Sequence, residues 1–243
     1  MFGIIPFRGA ADALDLLYPR ACVHCGDSVT ESFRYICWNC ATLIQYLQAP
    51  MCSQCGEPVE GRVDGEFVCQ LCSSSTRWFD RARSAARHDE VVRNLIHTFK
   101  YREGTWMLRD LAVILNGCYA THFAGRTPDL VVPVPLHPAR RRMRGYNQAG
   151  YLARALARGQ QVPCSSRLLQ RIRMTSSQTE LKAGDRARNV RGAFRVNPSL
   201  DVKGSNVLLI DDVMTTGATV SECARVLDKA GAARVDVATL ARG

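Results

Sequence analysis

Eight of the eleven cysteines form four CxxC pairs in the first third of the chain. The pairs are Cys22/Cys25, Cys37/Cys40, Cys52/Cys55 and Cys69/Cys72. They also form a repeat, because CVHCG followed by CWNC recurs as CSQCG followed by CQLC, 30 to 32 residues later. Two thiolates at this spacing lie on one tight turn, and two such turns close a tetrahedral shell around Zn²⁺. The pattern therefore predicts two structural zinc sites without an open coordination position.

The cysteine spacing leaves the zinc pairing open between two arrangements. Sequential pairing gives the ligand sets 22/25/37/40 and 52/55/69/72, and it is favoured over crossed pairing because each repeat then closes its own short loop. Disulfides are disfavoured, since Met1 to Tyr18 carries Asp12 and Asp15 and lacks the basic start of a secretion signal. A ribbon segment of about 60 residues would bury too little apolar surface without metal. The scattered Cys118, Cys164 and Cys223 are expected to be small buried hydrophobes.

The charge of the chain is unevenly distributed. The formal net charge is +10, yet residues 1–80 carry about −4 and residues 81–243 about +14. Within the second part, residues 139–195 hold 14 basic side chains against Glu180 and Asp185. This asymmetry predicts that the second part contacts phosphate groups. No apolar run reaches the roughly 18 residues of a membrane helix, so we expect a cytoplasmic protein without membrane insertion.

The order of elements predicts an α/β fold with a mainly parallel sheet and flanking helices, preceded by a small double zinc ribbon. We expect an N-terminal helix or lead over 1–20, the ribbons over 21–76 and the α/β domain over 80–243. The segment SSSTRWFDRARSA after Cys72 is interpreted as a polar hinge. Apolar periodicity predicts strands at 129–134, 207–210 and 234–240. Helices are predicted at 91–99, 108–115, 148–157 and 220–227.

The segment Val207-LLIDDVMTTGAT-Val220 gives the clearest indication of a ligand-binding site. Open α/β sheets bind ligands at the carboxyl ends of their strands, and Asp211 and Asp212 are predicted to lie where the strand stops. Their carboxylates suit vicinal hydroxyls or a hydrated Mg²⁺. The small residues 215–219 then lead directly into a helix, whose N-terminus favours an anion. A sugar phosphate satisfies both halves of the segment.

IDDVMTTGAT closely resembles the signature of type I phosphoribosyltransferases, which bind phosphoribosyl pyrophosphate. The resemblance widens when the CxxC pairs are taken with four further motifs. These motifs are His97-Thr-Phe-Lys-Tyr-Arg, Val132-Pro-Val-Pro-Leu-His-Pro, Arg144-Gly-Tyr-Asn-Gln and Asn189-Val-Arg-Gly-Ala-Phe. Together they are similar to the ComF/GntX family, in which a double zinc ribbon precedes a phosphoribosyltransferase-like domain. The resemblance spans about Leu16 to Arg242.

The resemblance implies a role for each matching position, with phosphoribosyl pyrophosphate and Mg²⁺ as ligands. Asp211 and Asp212 would contact the ribose hydroxyls. The 5′-phosphate would be held by Thr215, Thr216, Gly217, Ala218 and Thr219. The pyrophosphate loop would include Pro135, Leu136 and His137, although His137 is favoured as a loop or packing residue over a general base. A cover over the diphosphate would come either from Arg140 to Arg144, with Arg144 as the candidate ligand, or from Arg171 to Lys182. Arg140 to Arg142 fit a solvent-exposed helix face equally well.

Three functions remain open from the sequence. The first is glycosyl transfer at the ribose, although the segment that usually forms the acceptor pocket has become ribbon and linker. The second is non-catalytic binding of single-stranded DNA by the basic segment 139–195, where aromatic residues for stacking are few. The third is an adaptor whose ribbons dock a DNA-uptake helicase or another competence protein. The resemblance favours a role in competence or in the uptake and use of DNA.

Overall fold

The computed structural model describes residues 20–29, 33–101, 104–175 and 183–243, with backbone alone for residues 183–185. The predicted N-terminal helix or lead lies outside the described residues, apart from Arg20. Two short helices lie in the ribbons, α1 (Trp38–Thr42) and α2 (Gln70–Ser73). The remaining helices are α3 (Glu90–Tyr101), α4 (Leu108–His122), α5 (Pro138–Arg144), α6 (Gln148–Gln160), α7 (Ala183–Val190) and α8 (Ala218–Lys229), and a 3₁₀ turn over Gly104–Met107 precedes α4.

A four-stranded parallel sheet forms the centre of the second part. Its strands are β1 (Arg81–Arg87), β2 (Leu130–Pro133), β5 (Asn206–Met214) and β6 (Arg234–Arg242), in the order β1-β6-β5-β2. A separate antiparallel pair is formed by β3 (Leu169–Arg171) and β4 (Phe194–Val196). The predicted α/β class is confirmed. Within the described ranges, no helix is long and apolar enough to cross a bilayer.

The two faces of the sheet bury separate apolar clusters. Leu208 and Ile210 of β5 pack on one face with α3, α4 and α6, because alternate side chains of a strand point to opposite sides. Val207 and Leu209 pack on the other face with α8 and the β3–β4 pair. Cysteines of the first ribbon join the first cluster, and cysteines of the second ribbon join the second. The ribbons thus extend the core of the sheet on opposite sides.

Strand β1 begins within the segment interpreted as a polar hinge and includes its last five residues, 81–85, so that part of the prediction is wrong. Arg81–Arg87 pairs in parallel with β6, and five consecutive residues of it are buried. Both ribbons bond to its backbone: Leu47 donates its N–H to the Ala85 carbonyl at 2.9 Å, and Ala82 donates to the Gln54 carbonyl at 2.7 Å. Because the ribbons cover this sheet edge, small residues suffice to bury a strand that has no apolar pattern of its own.

Two close contacts fix how the ribbons sit on the domain. Asp110 of α4 is buried, and its carboxylate accepts the backbone N–H groups of Arg34 and Tyr35 at 2.8–3.0 Å. Gly56 of the second ribbon approaches β1 so closely that a Cβ there would lie 2.7 Å from the Ala82 carbonyl oxygen, at a φ of +70°. The glycine after the third CxxC pair therefore serves both the turn and the docking.

Candidate functional site

The eight paired cysteines form two groups in the folded chain. In each group the four Sγ atoms lie within 4.8 Å of one another. The groups are Cys22/Cys25/Cys37/Cys40 and Cys52/Cys55/Cys69/Cys72, which is the sequential pairing. Neighbouring sulfurs approach to 3.5 Å between Cys25 and Cys37 and to 3.6 Å between Cys55 and Cys69. All eleven cysteines are free thiols, so no disulfide competes for these ligands.

The surroundings of two of these sulfurs, those of Cys22 and Cys52, favour thiolates, which are the form that binds metal. Burial alone would raise the pKa of Cys22 and Cys52, but backbone N–H groups lower it to about 7 in both. For Cys52, these donors include Cys55 at 3.5 Å and Cys69 at 3.3 Å. Arg242 of β6 adds a positive charge, with its Nη2 3.6 Å from the Cys55 sulfur. The two Cys₄ groups support structural zinc in both ribbons.

A carboxylate pair lies near the carboxyl end of β5. The strand does not stop before these residues as predicted, because β6 continues to pair with it: Asp211 lies opposite Thr239, and Met214 opposite Arg242. Asp212 forms an ion pair with Lys100 of α3, with 3.0 Å between Oδ1 and Nζ. Asp211 accepts the backbone N–H of Asp212 at 2.9 Å. Both acids thus lie within the strand.

Burial and mutual repulsion perturb this site electrostatically. The pKa of Asp211 rises to about 7, because the carboxyl is removed from water and faces the negative charge of Asp212. His88 follows the end of β1, and burial together with the positive charges of Lys100 and Arg93 lowers its pKa. Such perturbed groups cluster at binding sites, where charge is arranged for a ligand.

The loop that follows β5 has the geometry of an anion cradle. Gly217 adopts a left-handed φ of +74° and caps the N-terminus of α8, which only glycine does without strain. The Oγ1 atom of Thr216 is buried and finds no hydrogen-bond partner among the described residues. A buried hydroxyl is costly when unpaired, so this atom indicates a missing ligand at the helix N-terminus.

The segment after β2 lies beside the carboxylates. The Val134 N–H donates to the Ile210 carbonyl at 2.9 Å, so the chain that continues into Pro135 and Leu136 leaves β2 alongside the strand that contains the carboxylates. His137 caps α5, since its Nδ1 accepts the Ala139 N–H at 3.3 Å. This capping role agrees with the interpretation of His137 as a loop residue.

The arginines predicted as a cover divide into three kinds. Arg144 is held in place by Gln148 at 2.9 Å and by the Tyr101 hydroxyl at 3.2 Å. Arg141 and Arg142 are exposed, as expected for a solvated face. Arg140 donates to the Thr175 carbonyl at 2.9 Å, and Arg171 donates to the hydroxyl of the same threonine. Residues 176–182 of the predicted cover lie outside the described residues.

Sequence reasoning gave no individual role to three side chains of this site: His88, Lys100 and Arg171. Arg171 is 9% exposed, lies over the Phe194 ring at 5.2 Å, and has an Nε without a partner among the described residues. Burial lowers its pKa, while the nearby Asp211 raises it. Lys100 lies within the HTFKYR motif, and this motif could have identified it as a site residue. His88 and Arg171 reach the site only through strand pairing, which no local motif encodes.

Comparison with known proteins gives two family matches that together cover most of the chain. Residues 13–73 match the double zinc ribbon domain, and residues 103–243 match the phosphoribosyl transferase domain. Competence protein F of Haemophilus influenzae is 31% identical over 227 residues, covering 91% of this chain and 96% of that protein. DNA utilization protein YhgH of Salmonella typhimurium is 32% identical over 230 residues, covering 93% and 99%. Competence protein ComFC of Bacillus subtilis is 26% identical over 220 residues, covering 85% and 84%.

Proposed function

Because the chain belongs to the ComF/GntX family of double-zinc-ribbon proteins with a phosphoribosyltransferase domain, we propose that it binds phosphoribosyl pyrophosphate with Mg²⁺ and serves the uptake or use of DNA in the cytoplasm. The proposal divides the chain into a double ribbon over 21–76 and a ligand-binding domain over 80–243. The role in DNA uptake or use is proposed from the names of the relatives, Competence protein F and DNA utilization protein YhgH. The ligand is proposed from the geometry of the site at the carboxyl end of β5.

The main observation that supports phosphate binding is the hydroxyl of Thr216, which has no hydrogen-bond partner among the described residues. It lies buried in the turn that opens α8, beside the left-handed Gly217. A phosphate oxygen in this turn would accept a hydrogen bond from that hydroxyl at the N-terminus of α8, where the helix dipole favours an anion. We assign the 5′-phosphate to Thr215–Thr219 on this ground.

The ribose is assigned to the carboxylates of β5. Asp211 and Asp212 precede the phosphate turn by a few residues along the chain. We therefore assign the ribose to the carboxylates and the 5′-phosphate of the same pentose phosphate to the turn. Lys100 holds the Asp212 carboxylate at 3.0 Å and leaves Asp211 as the less neutralised acceptor for ribose hydroxyls. The positive charge of Arg171 also acts on Asp211 and would limit the negative charge that the pair presents to a diphosphate.

The diphosphate is assigned to the loop after β2 and to its basic neighbours. Pro135 and Leu136 follow Val134, which bonds to the backbone of β5 at Ile210, while Arg144 is oriented by Gln148 and Tyr101. When bound, Mg²⁺ would neutralise the diphosphate charge and help it leave from the ribose. The chain would bind and orient the sugar and exclude water from it. We propose these residues as the ribosyl-transfer site of the domain.

Replacing Thr216 with valine tests the phosphate assignment. Thr216→Val keeps the shape of the side chain but removes the hydroxyl, so we expect about tenfold weaker binding of Mg²⁺-phosphoribosyl pyrophosphate, the usual cost of a hydrogen bond to a charged group. The same change should preserve or slightly raise the melting temperature, since an unpaired buried polar atom disappears. Thr121→Val on the exposed face of α4 is the matched control. Unchanged affinity in Thr216→Val would remove the 5′-phosphate from this turn.

A second candidate function is binding of single-stranded DNA without turnover. The exposed face of α5 favours it, because Arg141 and Arg142 are exposed and no acid lies in the helix. Replacing both arginines with glutamine should lower the salt dependence of DNA binding and leave phosphoribosyl pyrophosphate binding intact. If DNA binding is unchanged in this variant, α5 is a solvated face.

A further inference from the structure

A cavity of about 830 Å³ lies between the end of the second ribbon and helices α7 and α8. Leu71, Trp78 and Val190 contribute apolar surface to it, and Thr216 lines its border with the phosphate turn. Its volume falls in the range of small-molecule binding sites. No role in the proposed ribosyl-transfer site is assigned to this cavity, since the carboxylates of β5 do not line it.

The lining of this cavity is strongly basic. Five basic residues contribute to it: Arg77, Arg188, Arg191, Arg225 and Lys229. Glu222 is the one acid among the described lining residues, and its carboxylate is already bonded by Arg225 at 2.6 and 2.8 Å and by the Gly192 N–H at 2.7 Å. The excess positive charge favours an anionic occupant.

Arg77 is the basic residue best placed to hold that anion. Its Nε is buried and has no hydrogen-bond partner within the described ranges, and its Nη2 makes a long hydrogen bond of 3.5 Å to the Leu71 carbonyl. The guanidinium lies close to the phosphate turn, because a Cβ built on Gly217 would be 3.8 Å from Nη1. A guanidinium with a buried Nε and without a carboxylate partner among the described residues is suited to bind an anion that supplies the missing acceptor.

Trp78 supplies an aromatic surface at the same cavity. Its backbone N–H donates to the Ser221 hydroxyl of α8 at 3.2 Å, which fixes the residue against the helix. The side chain remains 39% exposed. An exposed, anchored indole beside arginines suits a planar base attached to a phosphate.

We propose that this cavity binds a nucleotide unit, with the base on Trp78 and the phosphate on the guanidinium of Arg77. The unit is either a free nucleotide or one residue of a single strand, since both present the same base and phosphate. The inference goes beyond the proposed ribosyl-transfer function. The cavity shares Thr216 with the phosphate turn at its border, but Trp78 and Arg77, which would hold the nucleotide, have no role in the proposed ribosyl-transfer site.

The test measures binding of thymidine monophosphate and of a fluorescein-labelled ten-residue oligothymidylate to the zinc-loaded full chain. Trp78→Leu is expected to weaken binding of the occupant about tenfold, the cost of one lost base stack. Arg77→Gln should also weaken it and should lower the salt slope of strand binding by about 0.7, as for one lost phosphate contact. Arg62→Gln removes the same charge from an exposed position of the second ribbon and should change neither quantity.

Comparing the two probes shows whether the occupant is a free nucleotide or one residue of a single strand. Competition between the monophosphate and the oligonucleotide identifies a site for one nucleotide, whereas binding of the oligonucleotide alone identifies the strand as occupant. Titration of phosphoribosyl pyrophosphate into Trp78→Leu separates this site from the other, because Trp78→Leu should retain that ligand. The proposal is overturned if neither nucleotide binds, or if Trp78→Leu and Arg77→Gln bind both probes as tightly as Arg62→Gln. Melting curves of each variant show that a loss is not caused by unfolding.

Discussion

Removing zinc is expected to unfold the ribbons and to lower the melting temperature of the chain by about 10 °C or more. The ribbons depend on metal because their cysteines contribute to the buried clusters on both sheet faces. Without metal, no ion links the four cysteines of each group, and little other apolar surface holds the turns together. The effect should reach the sheet, since Leu47 and Gln54 bond directly to β1.

Single substitutions at cysteines test this dependence. Cys37→Ser removes one ligand of the first group and should lower both the zinc content, from two ions per chain to about one, and the melting temperature. Cys164→Ser is the matched control, because Cys164 is half-buried and belongs to neither group. Metal analysis and thermal unfolding followed by circular dichroism measure the two effects. Equal zinc content and equal stability in the two variants would contradict the assignment of the first ribbon.

The second large effect is a pH-dependent gain of stability in Asp211→Asn. The folded pKa of Asp211 is about 7, above the ordinary value near 4 in the unfolded chain. The folded protein therefore keeps a proton that the unfolded chain has lost between about pH 4 and 7, and the stability due to this group falls as the pH rises through that window. Asparagine removes the buried charge, so the variant should be more stable than the parent by about 2 kcal/mol at pH 8 and nearly equal at pH 5.

Urea unfolding of the zinc-loaded chain in buffer without Mg²⁺ at the two pH values measures this difference. Asp228→Asn, on an exposed position of α8, is the control and should show no such trend. A gain of the same size at both pH values would mean that Asp211 is ionised throughout and would remove the electrostatic argument. A stabilising substitution at this position also indicates that the parent chain retains the acid for binding rather than for folding.

The parts of the fold that depend on local pattern could be predicted from the sequence. The CxxC spacing predicts four ligand pairs because a tight turn brings both sulfurs of a pair together, and short loops favour the sequential grouping of these pairs. The run Val207–Ile210 and the turn around Gly217 carry their own strand and helix signals. These stretches also account for the phosphate and ribose sites that we propose.

The parts that depend on tertiary contacts could not be predicted from the sequence. β1 reads RARSAAR, without apolar alternation, and it becomes a buried strand only because β6 and both ribbons cover it. The length of β5 beyond Ile210 is set by pairing with β6, and no local signal marks it. Arg77 and Trp78 were placed at a domain boundary, where the sequence alone gives no sign of a shared cavity.

The most direct test of the central claim is calorimetric titration of Mg²⁺-phosphoribosyl pyrophosphate into the zinc-loaded chain and into the Asp211→Asn/Asp212→Asn double variant. We predict micromolar binding by the parent chain and none detectable in the double variant, because its asparagines cannot replace two carboxylate acceptors for the ribose hydroxyls. Thermal unfolding of the variant confirms that it is folded. Absence of binding by the parent chain, or equal binding by both proteins, would contradict the ribosyl site.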